Sequence, residues 1–119
     1  MAACAILKLP FPPSVNRIWR YVNGRAIRSR EYREWIAIAH AGFLLQPEDV
    51  VSGAYTMHVM VNRPDNRRRD ITNVIKAIED VIVSAKYVDD DALCQKFTIE
   101  WVRGQPEPVK VFIKSTNEV

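Results

Sequence analysis

The spacing of the apolar residues changes along the chain, and this limits most tightly what it can fold into. In "AYTMHVMV" (54–61) Tyr55, Met57, Val59 and Val61 recur every second residue, the repeat of a strand with one buried face. From Ile71 the repeat lengthens. Ile71, Val74, Ile75, Ile78, Ile82 and Ala85 form one helical stripe, with Asn73, Lys76 and Asp80 on other faces and Asp70 placed to cap it. A helix of about sixteen residues would be about 24 Å long. "LCQKFTIEW" (93–101) returns to strand spacing, and "VKVFI" follows a Gly104 to Pro108 turn, which predicts an antiparallel hairpin.

Upstream, "ACAILKL" (3–9) reads as a strand stopped by Pro10, Pro12 and Pro13, and Asn23-Gly24 marks a hairpin turn within 16–28. Ser29 is a candidate N-cap for a helix carrying Tyr32, Trp35, Ile36, Ala39 and Phe43 and ending between Gly42 and Pro47. The order β, hairpin, α, β, α, β, β predicts a small α/β (α+β) domain in which a mixed β-sheet packs with two main helices. Strand order is not contained in that pattern.

The 119 residues suit one domain, and no segment approaches the roughly 18 apolar residues of a membrane helix. "MAACAILKLPFPP" has no cationic stretch ahead of its short apolar run, so a cytoplasmic location with no membrane partner is expected. Cys4 and Cys94 are too few for a disulfide scaffold and are expected to be buried free thiols. His40 and His58 have no ligand spacing and read as structural or surface residues.

The net charge of +3 conceals an asymmetry. Residues 1–69 hold eleven Lys and Arg against five Asp and Glu; residues 70–119 hold six against nine. Ten of the eleven are arginine, whose planar fork matches phosphate oxygens. This favours a polyanionic partner, nucleic acid being the commonest, over a merely solvated basic surface.

The sign changes inside "RPDNRRRDITNVIKAIEDVIVSAKYVDDD" (63–91), where Arg67, Arg68 and Arg69 precede Asp70 and Asp89, Asp90 and Asp91 close the segment. Carboxylates gathered without histidine or thiol donors suit Mg²⁺ or Mn²⁺. Asp70 and Asp91 are not neighbours along the intervening helix, so only the fold or a partner subunit would bring them together. By composition alone, a helix cap beside an arginine turn and a polar turn before a strand account for the same residues.

The composite resolves these alternatives. "LPFPPSVNRIWR", "GRAIRSREYREW", "RPDNRRRDITNVIKAIEDVI" and "YVDDDALC", in this order, resemble the RusA family of crossover-junction endodeoxyribonucleases, across nearly all of residues 1–119. The most specific part is an arginine run followed by D-x-D-N-x-x-K and, a helix later, an aspartate pair. The resemblance implies catalytic roles for Asp70, Asp91 and Lys76 and metal ligation by Asp70, Asp90 and Asp91. It also implies DNA contacts from Arg67, Arg68, Arg69, Lys76, Asn73 and Arg17, with Lys8, Arg20, Arg25 and Arg28 extending the track. The implied partner is four-way (Holliday) junction DNA, the cofactor Mg²⁺ with Mn²⁺ as a substitute, and the assembly a homodimer whose two sites make paired nicks. Members are often prophage-encoded and act in recombination, repair or processing of branched DNA.

Thr72 departs from the family pattern, which has an aspartate there. One negative ligand is missing unless Asp89 or Asp80 compensates, so a branched-DNA-binding protein with reduced or no cleavage is the alternative. Other readings fit less well. Glu100-Trp101-Val102 leads to no lysine as a D…(D/E)xK nuclease requires, and the chain lacks the signatures of RRM and KH modules.

Overall fold

A computed structural model describes residues 3–46 and 48–116. Its strands are β1 (Cys4–Leu9), β2 (Trp19–Val22), β3 (Arg25–Arg28), β4 (Tyr55–Asn62), β5 (Cys94–Val102) and β6 (Val109–Ser115); its helices are α1 (Arg30–Leu44) and α2 (Ile75–Ser84). Four strands make one sheet in the order β1-β6-β4-β5, while β2 and β3 form a separate hairpin. Asn23 and Gly24 both take positive φ, 51° and 75°, as the predicted tight turn requires.

Strand alternation decides which face is buried. Leu7, Val59, Val61, Val109 and Val111 are fully enclosed beneath α1 and α2, which contribute Tyr32, Trp35, Ala39 and Phe43 and then Ala77, Ile78, Val81 and Ile82. The opposite sheet face is partly exposed and mixes polar side chains with Ile6, Met60 and Phe112; there His58 Nε2 lies 2.8 Å from Glu100 Oε2. His40, on α1, meets Ser84 Oγ at 3.1 Å. Ser29 caps α1 as expected, its hydroxyl oxygen accepting from the Tyr32 amide at 3.1 Å while donating to the Arg17 carbonyl at 2.6 Å. Among the described residues no helix is long and apolar enough to cross a membrane.

Three expectations are corrected. The last two strands do not pair with each other: β4 lies between them, parallel to β5 and antiparallel to β6. The connection after β5 contains Pro106 and Pro108, which cannot donate to a ladder. It spans two strand spacings, roughly 10 Å, and clasps the end of β4. Asn62 N donates to the Pro108 carbonyl at 2.8 Å, Asn62 Nδ2 to the Gln105 carbonyl at 2.9 Å, and Gln105 Nε2 to the Met60 carbonyl at 3.0 Å.

The second helix is also shorter than expected. Ile71–Val74 is a 3₁₀ turn, with the Asn73 amide bonded to the Asp70 carbonyl at 3.1 Å, and α-geometry begins only at Ile75. Thr72 and Asn73, a β-branched residue and one that competes for backbone hydrogen bonds, weaken the helical start. Finally, the thiols are not buried: Cys4 is exposed on the outward phase of β1 and Cys94 is half-buried on edge strand β5.

Candidate nucleic-acid interface and its carboxylates

The parallel pair β4 and β5 demands a crossover, and the chain makes it through residues 63–93. The arginine run and every aspartate singled out in the sequence lie on that crossover. The arginine loop comes first and is organised by Asp65. Its Oδ1 accepts from the Arg67 amide at 2.9 Å, while its Oδ2 accepts from Arg67 Nε at 3.0 Å and Arg69 Nη2 at 2.9 Å. The hydrogen bond from Arg69, followed by those from Arg67, holds the Asp65 carboxyl well below the usual carboxylate range.

Aromatic stacking fixes the loop from both sides. The Arg69 guanidinium carbon lies 5.6 Å from the Phe11 centroid, Phe11 stacks on Trp101 at 6.5 Å and 11°, and Arg63 covers Trp101 at 4.7 Å. Two cations and two rings thus tie the loop to the proline-rich segment and to β5. Trp35 Nε1 anchors the same segment by donating to the Pro10 carbonyl at 3.1 Å.

Between these elements lies an open cleft of about 870 Å³. Arg17, Arg67, Arg68, Arg69, Asp70 and Asn73 all line it, with Phe11 and Trp35 among its apolar walls. Arg67 and Arg68 are exposed, whereas Arg69 is partly withdrawn by its contacts. Asp70 precedes the 3₁₀ turn in extended conformation and its side chain makes no capping bond, contrary to the cap expected of it.

The remaining carboxylates have different surroundings. Asp89 Oδ2 accepts from the Gly53 amide at 3.1 Å, tying the approach to β5 to the approach to β4. Asp90 caps the 3₁₀ turn at Asp91–Leu93, its Oδ1 accepting from the Ala92 amide at 2.9 Å; that bond, then one with Asp91, lowers its pKa. Asp91 is exposed and faces α2, where its charge reaches Lys76 and Glu79. Lys76 Nζ pairs with Asp80 Oδ1 at 3.1 Å, and this hydrogen bond leads the causes that raise its pKa, with Asp91 and Glu79 adding to it. Burial, then Asp91, pushes Glu79 upward.

The predicted site residues therefore fall into two groups. Asp70, Asn73 and the arginines share the cleft; Asp91 and Lys76 share the flank of α2 with Glu79 and Asp80. Among the described residues no three His, Cys, Asp or Glu side chains converge as a metal cage. The donor chemistry still suits a hard divalent cation, because Mg²⁺ is commonly held by one or two carboxylates with water and substrate phosphate completing its shell. Asp89 accepts from the Gly53 amide and Asp80 pairs with Lys76, so each carboxylate weighed as a substitute for the one absent at Thr72 already has one partner.

Sequence reasoning passed over Asp65, Phe11, Arg63, Trp101 and Glu79. Asp65 carried a usable signal, since an aspartate two residues ahead of a turn amide is a common loop brace. Glu79 lies one turn after Lys76 on the same helix. The Phe11 to Trp101 stack joins positions far apart in sequence and has no local signature.

Comparison with known proteins settles the ancestry. The family model described as Endodeoxyribonuclease RusA matches residues 10–114. The chain belongs to the RusA endodeoxyribonuclease family. It is similar to the crossover junction endodeoxyribonuclease of Enterobacteria phage 82, with 36% identity over 72% of each chain, and to that of Escherichia coli strain K12, with 34% identity over 72% of each. The corresponding protein of Enterobacteria phage HK97 is 28% identical over 84% of this RusA-family chain and 82% of its own length.

Proposed function

We propose that this RusA-family chain is a Mg²⁺-dependent endonuclease that resolves four-way (Holliday) junction DNA by paired symmetric nicks, working as a homodimer in recombination and repair. The observation that carries the reading is the convergence of Arg17, Arg67, Arg68, Arg69, Asp70 and Asn73 on one open cleft in a member of this family.

The charges define a division of labour. Arg67 and Arg68, exposed at the mouth, take phosphate oxygens and offset the repulsion between DNA and the nearby carboxylates. Arg69, held by Asp65 and Phe11 with its Nε buried, keeps the loop in shape. Asn73 adds a neutral hydrogen-bonding amide. Lys76 keeps its proton, since Asp80, Asp91 and Glu79 all favour the charged form; it therefore acts as a fixed positive charge for the phosphate and not as a base. Asp70 and Asp91 would hold Mg²⁺, with Asp90 kept in place by its capping bond. When bound, that ion would activate water and stabilise charge on the leaving oxygen.

Thr72 supports a second reading, a protein that binds branched DNA and cuts it poorly. Its side chain is exposed within the 3₁₀ turn between Asp70 and Asn73, a position from which a carboxylate would add negative charge to the same site. The deciding experiment is Mg²⁺-dependent nicking of a synthetic four-way junction by the unmodified chain and by Thr72→Asp. Paired nicks by the unmodified chain support the resolvase; binding without nicks, with cutting gained in Thr72→Asp, supports the binder. Failure of both proteins to bind the junction in preference to duplex DNA would overturn both.

A further inference from the structure

The hairpin of β2 and β3 stands clear of the core. Both strands are exposed along their whole length, and neither joins the four-stranded sheet. Trp19 is 44% exposed, Tyr21 79%, Val22 38% and Ile27 42%. A two-stranded ribbon alone is marginally stable in water, and large apolar side chains gathered on such a projection mark a contact surface.

Its placement ties that surface to the arginine cleft. Arg17, ahead of β2, and Glu31, after β3, both line the cleft, so the hairpin rises from its rim. The base is fixed, because Ile18 is buried and its carbonyl accepts from the Ser29 amide at 2.9 Å. From there four residue pairs at about 3.4 Å each carry the tip roughly 12 Å outward.

The register sorts the side chains. Trp19 stands opposite Arg28 and Tyr21 opposite Ala26 on one face; Arg20 stands opposite Ile27 and Val22 opposite Arg25 on the other. Near the base the first face meets α1, where the Arg28 guanidinium carbon lies 5.8 Å from the Tyr32 centroid. Tyr21 is two residues further out, and the methyl group of Ala26 cannot cover its ring. It offers a free aromatic plane close to arginines.

Charge identifies the occupant. Residues 16–28 carry four arginines and no carboxylate, and no Asp or Glu precedes Glu31 in the chain. Among the described residues Arg20, Arg25 and Arg28 have no ion pair. The same hairpin from a second copy would bring like charge onto like charge. A nucleic-acid strand instead meets the arginines with phosphates and the rings with bases. In continuous duplex the bases cover one another, so their faces are free only where the stack is interrupted.

We infer that the β2 and β3 hairpin binds unstacked nucleobases, with Tyr21 stacking on a base face, Trp19 beside it, and Arg20 and Arg25 holding adjacent phosphates. Placing that base at the crossover of a four-way junction rests on the proposed function.

The test uses the full chain without divalent metal, so that binding is read apart from cutting. Junctions carrying 5-iododeoxyuridine at the crossover should photo-cross-link to Trp19 or Tyr21, and junctions labelled in the arms should not. Tyr21→Leu should weaken junction affinity about tenfold while leaving duplex affinity, the salt slope and the melting temperature unchanged. Tyr21→Phe should restore the affinity, and Arg20→Ala should reduce the salt slope instead. The cross-link needs no substitution, so it decides the matter if a variant fails to fold. Cross-links confined to other residues, or full junction affinity in Tyr21→Leu, would overturn the inference. So would a Tyr21→Leu protein whose self-association in sedimentation weakens while its DNA binding holds. Cross-linking at Tyr21 by a chain that never nicks a junction in Mg²⁺ would overturn the proposed resolvase and leave the hairpin assignment standing; normal nicking with no cross-link at either ring would overturn the hairpin alone.

Discussion

Arg69 donates from Nη2 to Asp65 Oδ2 across 2.9 Å, and this one bond divides the arginine run into parts with different work. Arg69 is committed to the loop, while Arg68 extends beyond it. Because the bond needs Asp65 ionised, it ties loop stability to pH. The Asp65 pKa is depressed in the folded protein, so its stabilising contribution is present above the unfolded value of about 3.9 and is lost as pH falls through the folded one. The urea midpoint of the unmodified chain should therefore decline below about pH 4, and Asp65→Asn should decline less over the same range. Parallel curves for the two proteins would show that Asp65 does not brace the loop.

Arg68 and Arg69 should separate in experiment. Each phosphate contact contributes a slope of about −0.9 to the dependence of log affinity on log salt. Arg68→Ala should reduce the magnitude of that slope by about that amount while leaving the melting temperature unchanged, because Arg68 is exposed. Arg69→Ala should lower both, since it also gives up Asp65 and the face of Phe11. An Arg68→Ala protein with an unaltered salt slope would remove that residue from the DNA interface.

Asp91 tests the other group. It is exposed, lies opposite Lys76 and Glu79, and is proposed as a metal-holding carboxylate. Removing residues that merely support a metal ligand costs about 10–100-fold, so Asp91→Asn should lower Mg²⁺-dependent nicking by at least about 100-fold. Junction affinity should hold or rise, because a charge that repels phosphate has gone. Lys76→Met should instead lower nicking without strengthening binding. Equal nicking by Asp91→Asn and the unmodified chain would exclude Asp91 from the cutting site.

Local physics accounts for what the sequence revealed. The hairpin turn at Asn23-Gly24, the Ser29 cap and the buried face of β4 each depend on residues a few positions apart, and each stands where the pattern placed it. The cleft was legible through composition and family motif, since its arginines are consecutive. What escaped depends on long-range placement. Periodicity marks β5 and β6 as strands, but nothing within them says that β4 inserts between the two. The same holds for the Phe11 to Trp101 stack. The length of α2 failed for a subtler reason: Thr72 and Asn73 fit the helical stripe as polar positions, yet their backbone preferences yield a 3₁₀ turn, before which the Asp70 side chain makes no capping bond.

The clasp over β4 offers a direct test of the unexpected strand order. Gln105 is half-buried, and its amide donates to the carbonyls of Met60 and Glu107 at 3.0 and 2.9 Å while its own carbonyl accepts from Asn62 Nδ2 at 2.9 Å. A simple hairpin between β5 and β6 would have no reason to bind Met60 and Asn62 at the end of β4 in this way. Gln105→Ala removes both side-chain bonds and leaves two carbonyls short of a partner, for which a loss of about 1–3 kcal/mol is expected. Gly104→Ala, at a φ of 82° with open space around its Cβ, should cost stability through backbone strain alone. If denaturant unfolding shows Gln105→Ala within error of the unmodified chain while Gly104→Ala is destabilised, the connection matters only as a turn and the clasp contributes nothing. Destabilisation by Gln105→Ala, with hydrogen exchange accelerated at the Asn62 amide, is the result that the inserted β4 requires.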